Sequence, residues 1–176
     1  MDKNLKLICS QKQATTQIGF TSSEFQDSLD GEFKDSVNEM AIDKIRKDIE
    51  GRCIGSGYVV PNTVKLVERG SISFPHEALQ LHYSIKVVYE YTLCNPNPGI
   101  VLNCRVVTKN QIGILGRLNS DISPLVILIP RDLCNDRKEK LNLLDNCKKG
   151  DEISVVVVAK KFEQNDKKIT VIAELE

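Results

Sequence analysis

The sequence predicts an α+β domain in residues 1–93, followed by an all-β five-stranded barrel in residues 94–176. The first observation is a stretch at 32–49 whose apolar residues recur at steps of three and four, which is typical of an amphipathic helix. The second is the segment Cys94–Gly99, in which two prolines interrupt any strand ladder. The third is the series of five strand-like runs that follows this segment, enough to close a small barrel.

In the N-terminal domain, the apolar run Leu5–Cys9 predicts a first strand and the polar residues 10–31 predict a loop. The helix comes next, and Gly51 suits its end because glycine adopts the left-handed conformation readily. Its apolar face comprises Phe33, Val37, Met40, Ala41, Ile45 and Ile49. Four further strands are predicted at 53–60, 63–68, 70–74 and 81–91. We expect the helix to pack its apolar face on the antiparallel sheet.

The barrel strands are predicted at 99–108, 111–117, 124–130, 152–161 and 167–175. The polar stretch 132–150 contains three leucines and predicts one short helix between the third and fourth strands. Five strands with a helical insertion after the third form the layout of the oligonucleotide-binding (OB) barrel. A barrel of this type more often binds nucleic acid than performs catalysis.

Charge and composition restrict how such a barrel could bind nucleic acid. The 24 Lys and Arg residues balance the 24 Asp and Glu residues, so the formal net charge is zero. Proteins that bind nucleic acid by bulk electrostatics are usually strongly basic, so this chain would need a local patch or a larger assembly. Aromatic residues make up only 5% and Trp is absent, which leaves few side chains on which bases could stack.

No catalytic, metal or cofactor site is predicted. The six cysteines show no C-x-x-C spacing and there are only two histidines, so the expected state is reduced, mostly buried thiols in an intracellular protein. No nucleophile, base and acid fall into a recognisable constellation, and a nuclease would need clustered carboxylates near the barrel. No apolar run is long enough to cross a membrane, and the charged N-terminus is unlike a signal peptide.

Several segments resemble a known family. The barrel resembles an S1 domain at Gly99–Val101, Gly113–Leu115, Leu128–Leu133 and Gly150–Ile153. Upstream, Glu50–Gly55 and Gly57–Val60 resemble the tip-domain sheet of the larger stalk subunit of multisubunit RNA polymerases, a family that includes the archaeal stalk protein and the seventh-largest subunit of RNA polymerase II. The order of strand, helix, sheet and S1 barrel extends over almost the full chain. The joint Val88–Gly99, with Pro130–Asp132 and Phe162–Asp166, is most similar to versions from large cytoplasmic DNA viruses.

The resemblance implies a non-catalytic subunit of a DNA-directed RNA polymerase. Its tip domain would dock on the polymerase core through a loop comprising Gly51, Cys53, Gly55, Ser56, Gly57 and Tyr58. Other polymerase subunits would be its partners, cellular relatives work with a small helical stalk partner, and the S1-like barrel would contact nascent RNA weakly. A viral version would occupy the host cytoplasm and the virion, and a cellular version the nucleus. The loop departs from the cellular pattern at Ser56, where one residue fewer separates the glycines.

Candidate RNA-contacting cations on the barrel are Arg105, Lys109, Arg117, Arg131, Lys160 and Lys161. Either Lys109, Arg117 and Arg131 lie at one rim and guide the transcript, or the cations belong to a solvated surface of mixed charge, and the sequence leaves both interpretations open. Two aromatic positions of RNA-binding S1 domains are replaced, one by Ile114 and Leu115 and the other by Pro130. The alternative hypothesis, a free-standing S1-type protein that binds single-stranded RNA, predicts strong RNA binding by the isolated barrel.

Overall fold

A computed structural model describes residues 3–21, 24, 33–73, 82–119, 123–134 and 137–176. Within these residues the elements are α1 (Lys3–Ile8), β1 (Cys9–Thr21), α2 (Phe33–Ile49), β2 (Cys53–Ile54), β3 (Gly57–Val59), β4 (Lys65–Ser73), β5 (His82–Cys94), β6 (Val101–Lys109), β7 (Gly113–Leu118), β8 (Leu125–Pro130), a 3-10 helix (Arg131–Cys134), α3 (Lys138–Asn146), β9 (Glu152–Lys161) and β10 (Ile169–Leu175).

The chain divides into two compact units that interleave along the sequence. One comprises Met1–Ser10, Gly51–Tyr58 and Leu93–Glu176, and the other comprises Gln11–Glu50 and Val59–Thr92. Two short segments of the N-terminal half therefore belong to the same unit as the barrel. We call this the barrel unit.

The last five strands form a closed barrel in the order β10-β8-β7-β6-β9. Strand β10 runs parallel to β8, whereas the other described pairs of the barrel are antiparallel. Helix α3 lies between the third and fourth barrel strands. The prediction of five strands with a helical insertion is confirmed, and the layout is compatible with an OB-type barrel.

Alternation along each strand explains the barrel core. Every second residue of β8 and β10 is buried, because successive side chains of a strand point to opposite faces. Leu102, Leu118, Ile127, Val155 and Val171 are each completely buried and come from all five strands. The residues between them on each strand face outward, and they determine what the barrel surface can bind.

The strands of the N-terminal half pair in the order β1-β5-β3-β2, with β4 also paired to β5. Helix α2 confirms the prediction for residues 32–49, and its Val37, Ala41 and Ile45 are buried as the spacing requires. The positions of Phe33–Ser36 belong to this helix, but the structure describes only their backbone.

Four predictions for the N-terminal half are wrong. Leu5–Cys9 does not form a strand, because Lys3–Ile8 is helical and the first strand begins only at Cys9. The predicted loop at 10–31 instead begins with β1 as far as Thr21. This strand was hidden because only Ile18 and Phe20 near its end are buried, and polar residues precede them. Residues 22–23 and 25–32 lie outside the described part.

The predicted strand 53–60 is two short strands that form a hairpin, with Cys53 opposite Tyr58 and Ile54 opposite Gly57. The predicted strands 63–68 and 70–74 are one bulged strand, β4, which ends at Ser73. In both cases the error concerns whether a glycine ends a strand. Gly55 marks a hairpin turn inside an apolar run, whereas Gly70 is accommodated within a continuous strand.

The cysteines depart in part from the expected reduced state. Cys9 and Cys94 of the barrel unit form a disulfide, whereas Cys53, Cys104 and Cys134 are free and buried, and Cys147 is free and half-buried. Spacing along the chain gives no hint of the disulfide, because its two cysteines are 85 positions apart. None of the described helices is both long enough and apolar enough to span a membrane.

Candidate functional site

The predicted docking loop is the β2–β3 hairpin, and most of it is engaged inside the barrel unit. Cys53, Gly57 and Tyr58 are buried, and only Gly55 and Ser56 at the hairpin tip are exposed. Gly51 precedes the hairpin with a positive φ of 71°. The six residues predicted as one contact loop therefore separate into a buried base and an exposed tip of two residues.

Backbone hydrogen bonds join the hairpin base to the loop between β9 and β10. The Cys53 amide donates to the Asp166 carbonyl at 2.7 Å, and the Asn165 amide donates to the Cys53 carbonyl at 2.8 Å. Burial, with a contribution from the nearby Asp166 charge, raises the pKa of the Cys53 thiol to about 11. Because the thiolate is the reactive form, Cys53 is a structural thiol rather than a nucleophile at neutral pH.

Position 57 requires a glycine because the backbone of Cys94 approaches it closely. Its φ is +144°, and a Cβ atom there would lie 2.5 Å from the carbonyl oxygen of Cys94. The Asn95 side chain reinforces the same joint, since its Nδ2 donates to the Ser56 carbonyl at 2.9 Å. The Asn95 amide also donates to the Ile8 carbonyl at 2.8 Å, so the segment after β5 connects α1 and the hairpin within the barrel unit.

Two of the predicted RNA-contacting cations are brought together by α3. Arg131 makes a bidentate ion pair with Asp145, with nitrogen–oxygen distances of 3.0 and 3.1 Å. Lys109 donates to the backbone carbonyls of Asp145 at 2.6 Å and of Cys147 at 3.2 Å. Both cations therefore stabilise the end of α3, where helix carbonyls lack partners and attract positive charge. Their positive charge is directed to this helix end rather than toward a phosphate.

The other four cations lie in two different places. Arg105 and Arg117 are exposed and stand directly opposite each other across β6 and β7. Lys160 donates to the side-chain oxygens of Asn95 and Asn97. Lys161, at the end of β9, is exposed and lies opposite Thr170. The six candidates therefore do not form one row of cations along which a phosphate backbone could run.

An apolar groove of about 400 Å³ lies on the outside of β7 and β8, in the barrel unit. Its walls include Thr108, Asn110, Ile112, Leu115, Leu128 and Pro130, and none of its lining residues is charged. Ile112, at the turn between β6 and β7, is 79% exposed, and Leu128 is 37% exposed. The Asn110 side chain accepts hydrogen bonds from the amides of Ile112 and Gly113 and so fixes this turn.

The groove is lined by Ile114, Leu115 and Pro130, the residues that the sequence led us to expect in place of stacking side chains. Leu115 and Pro130 are half-buried on the outer face, whereas Ile114 points into the core. None of the three offers an aromatic face to a base. The sequence identified these substitutions but did not reveal that apolar residues from two strands combine into one concave surface. Only the cross-strand register, with Leu115 opposite Leu128, brings them together.

The described residues contain no group of three or more His, Cys, Asp or Glu side chains able to hold a metal ion. His76 lies outside the described residues, and only the backbone of His82 is described. Burial raises the pKa of the Cys104 thiol to about 12 and, less strongly, that of Cys147. The most informative surfaces for function are therefore the hairpin tip and the apolar groove.

Comparison of the chain with models of protein families, and with curated protein sequences, finds no significant match.

Proposed function

We propose that this chain is a non-catalytic stalk subunit of a DNA-directed RNA polymerase. The N-terminal domain, predicted to be of the α+β class, docks on the polymerase core, and the S1-like barrel lies near the emerging transcript. The first support is the sequence resemblance, both in Val88–Gly99 and in the order of an N-terminal domain followed by an S1-like barrel. The second is the closed five-stranded barrel, which is of a compatible type and lies in the expected part of the chain. A stalk subunit acts by binding and positioning, which requires no catalytic group.

The observation on which the proposal rests is the attachment of the β2–β3 hairpin within the barrel unit. Reciprocal backbone hydrogen bonds between Cys53 and residues 165–166 hold the hairpin base, so its tip is presented by a supported structure. Gly55 and Ser56 are exposed there and carry little side-chain bulk. A small, supported and exposed turn is suited to insertion into a crevice of a larger partner, because little conformational entropy is lost on binding.

In this proposal the barrel contributes little RNA affinity by itself. Lys109 and Arg131 are committed to the end of α3, and the groove on β7 and β8 lacks charge and aromatic rings. RNA binding without these features would be weak and would depend on the rest of the polymerase. The alternative, a free-standing S1-type protein that binds single-stranded RNA, requires the barrel to bind RNA well without a partner.

Affinity purification tests the proposal directly. The tagged full-length chain is expressed in its source cells, and the co-purified proteins are identified by mass spectrometry. We expect the largest subunits of a DNA-directed RNA polymerase to co-purify in stoichiometric amounts. We also expect Ser56→Arg, at the exposed tip, to lower their recovery, whereas Lys149→Glu, at an exposed position before β9, leaves it unchanged.

The same protein is then titrated with a labelled polyuridine oligonucleotide at physiological salt. Weak binding agrees with the stalk proposal. Micromolar or tighter binding, with no polymerase subunits recovered from the cells, would replace the stalk proposal with the free-standing alternative.

A further inference from the structure

A row of apolar side chains crosses three neighbouring strands on the outer surface of the barrel. Leu115 of β7 stands opposite Leu128 of β8, and Leu128 stands opposite Ile172 of β10. All three point outward, since their neighbours along each strand are buried. Leu128 and Ile172 are 37% and 36% exposed. We call Leu115, Leu128 and Ile172, with Ile112 and Pro130 at one edge, the outer row. Together with the groove it forms one apolar surface.

The sequence of strand β8 is typical of a strand that is covered on both faces. Its sequence, Leu125–Pro130, is apolar at all six positions. A strand with one solvated face normally alternates apolar and polar residues, whereas an uninterrupted apolar run is typical of a strand covered on both faces. The inner face of β8 packs in the barrel core, but the outer positions Val126, Leu128 and Pro130 lie on the surface. Contiguous apolar patches that stay exposed are typical of interaction sites.

The charges beside the outer row indicate which charge a partner would carry. Arg117 follows Leu115 by two positions on the same outer face of β7, and within the described chain it makes no hydrogen bond or ion pair. Arg105 of β6 stands directly opposite Arg117, so two cations face each other, which is unfavourable in a sheet. On its other side Arg105 lies opposite Glu152 of β9, and its Nε donates to the Gly150 carbonyl at 3.1 Å, so Arg117 is the member of the pair that lacks a partner among the described residues. A carboxylate beside Arg117 would relieve this repulsion.

A nucleic acid does not fit this surface. Phosphates need cations along the path of the backbone, and the lining of the groove is uncharged. Bases stack on aromatic or guanidinium faces, and the outer row is aliphatic with only the single guanidinium of Arg117 at its end. An aliphatic row that ends at an arginine with no partner among the described residues is instead complementary to large apolar side chains followed by an acidic residue.

We propose that the outer row of β7, β8 and β10 is a docking site for an apolar segment of a partner protein, with an Asp or Glu of that segment paired to Arg117. Large aliphatic or aromatic side chains of the segment occupy the groove between Ile112 and Leu128. The docking site does not depend on the polymerase assignment, because it follows from the exposed side chains of the barrel alone.

Peptide selection tests the proposed docking site. A displayed library of random peptides is selected on the full-length chain, and enriched peptides are synthesised with a fluorescent label and titrated by anisotropy. We expect enriched sequences to contain at least two large apolar residues and an acidic residue. Leu128→Glu and Ile112→Glu should each weaken binding about tenfold, the effect of removing one large apolar contact. Arg117→Glu should weaken binding several-fold and reduce its dependence on salt.

Two controls separate docking from folding. Val67→Glu alters another apolar residue, 49% exposed on β4, and should leave peptide affinity unchanged. Ile112 lies at an exposed turn, so its substitution tests the site even if Leu128→Glu unfolds the barrel. Circular dichroism of each variant checks the fold.

Four results would each overturn the proposed docking site. They are the absence of any enriched apolar and acidic motif, equal affinity for the Ile112→Glu variant, displacement of the peptide by polyuridine, and a wild-type dimer that Ile112→Glu dissociates. The third would assign the surface to nucleic acid, and the fourth to a second copy of this chain.

Discussion

The β2–β3 hairpin, which the sequence marks as a candidate contact loop, and the outer row of the barrel, which it does not, differ in how their residues are engaged. At the hairpin base, backbone groups are paired with the β9–β10 loop, and a Cβ at Gly57 would clash with the Cys94 carbonyl. On the outer row, Leu128 and Ile172 have apolar surface in contact with solvent. The first region stabilises the chain itself, whereas the second leaves apolar surface exposed.

This difference separates two roles that residue type alone does not distinguish. Glycines and a tyrosine in a loop suggest a flexible contact element, yet Tyr58 and Gly57 are buried and their substitution should affect folding. Apolar residues in a strand suggest a core, yet Leu128 faces outward and its substitution should affect binding.

The largest effect on stability is expected at the hairpin base. Gly57→Ala places a Cβ 2.5 Å from the Cys94 carbonyl oxygen at a φ of +144°. Because backbone strain and a backbone clash add, we expect a loss of about 3 kcal/mol in the free energy of unfolding. Urea denaturation followed by circular dichroism measures it. The matched control is Gly55→Ala, where a Cβ meets nothing within 4 Å. Similar losses for both variants would show that the base and tip of the hairpin do not differ as described.

A smaller effect is expected at Asn95, which connects the hairpin to β9. Asn95→Ala removes the hydrogen bond to the Ser56 carbonyl and the acceptor for Lys160, so we expect a loss of about 1–2 kcal/mol. Asn97→Ala, which removes only an exposed acceptor for Lys160, should cost less than about 0.5 kcal/mol. Equal urea-denaturation midpoints for the two variants would contradict the role assigned to Asn95.

The smallest effect on stability is expected at the end of α3. The Arg131–Asp145 ion pair is partly exposed, so Asp145→Asn should cost about 0.5–1 kcal/mol. The same substitution releases Arg131 and removes a negative charge, so affinity for polyuridine should rise several-fold, with a steeper dependence on salt. Glu139→Gln, at an exposed position at the start of α3, is the control. Unchanged RNA affinity in Asp145→Asn would mean that the ion pair does not limit RNA binding.

The regular parts of the fold follow from sequence patterns. Steps of three and four identified α2, and alternation with turn residues identified the five barrel strands to within about two residues. Strand β1 could not be recognised, because Gln11, Gln13 and Gln17 interrupt the alternation of apolar and polar residues. The strand forms nevertheless, because its backbone pairs within the sheet. The hairpin at 53–59 was hidden inside an apolar run, since its strands contain only two and three residues.

The candidate site was less predictable, because its properties depend on which residues meet. The sequence supplies Lys109 and Arg131 as cations, but it does not indicate that both turn toward the end of α3. It supplies Leu115, Leu128 and Ile172 as strand residues, but only the register of three strands aligns them. Pairings distant in sequence have no local pattern from which they can be inferred.

The Cys9–Cys94 disulfide turns most of the N-terminal half into a covalent ring, since its ends lie 85 positions apart. A protease that opens the backbone once inside this ring would leave both products joined. On a denaturing gel the nicked chain would therefore migrate near the intact mass without reductant, and would separate into two bands only after thiol treatment.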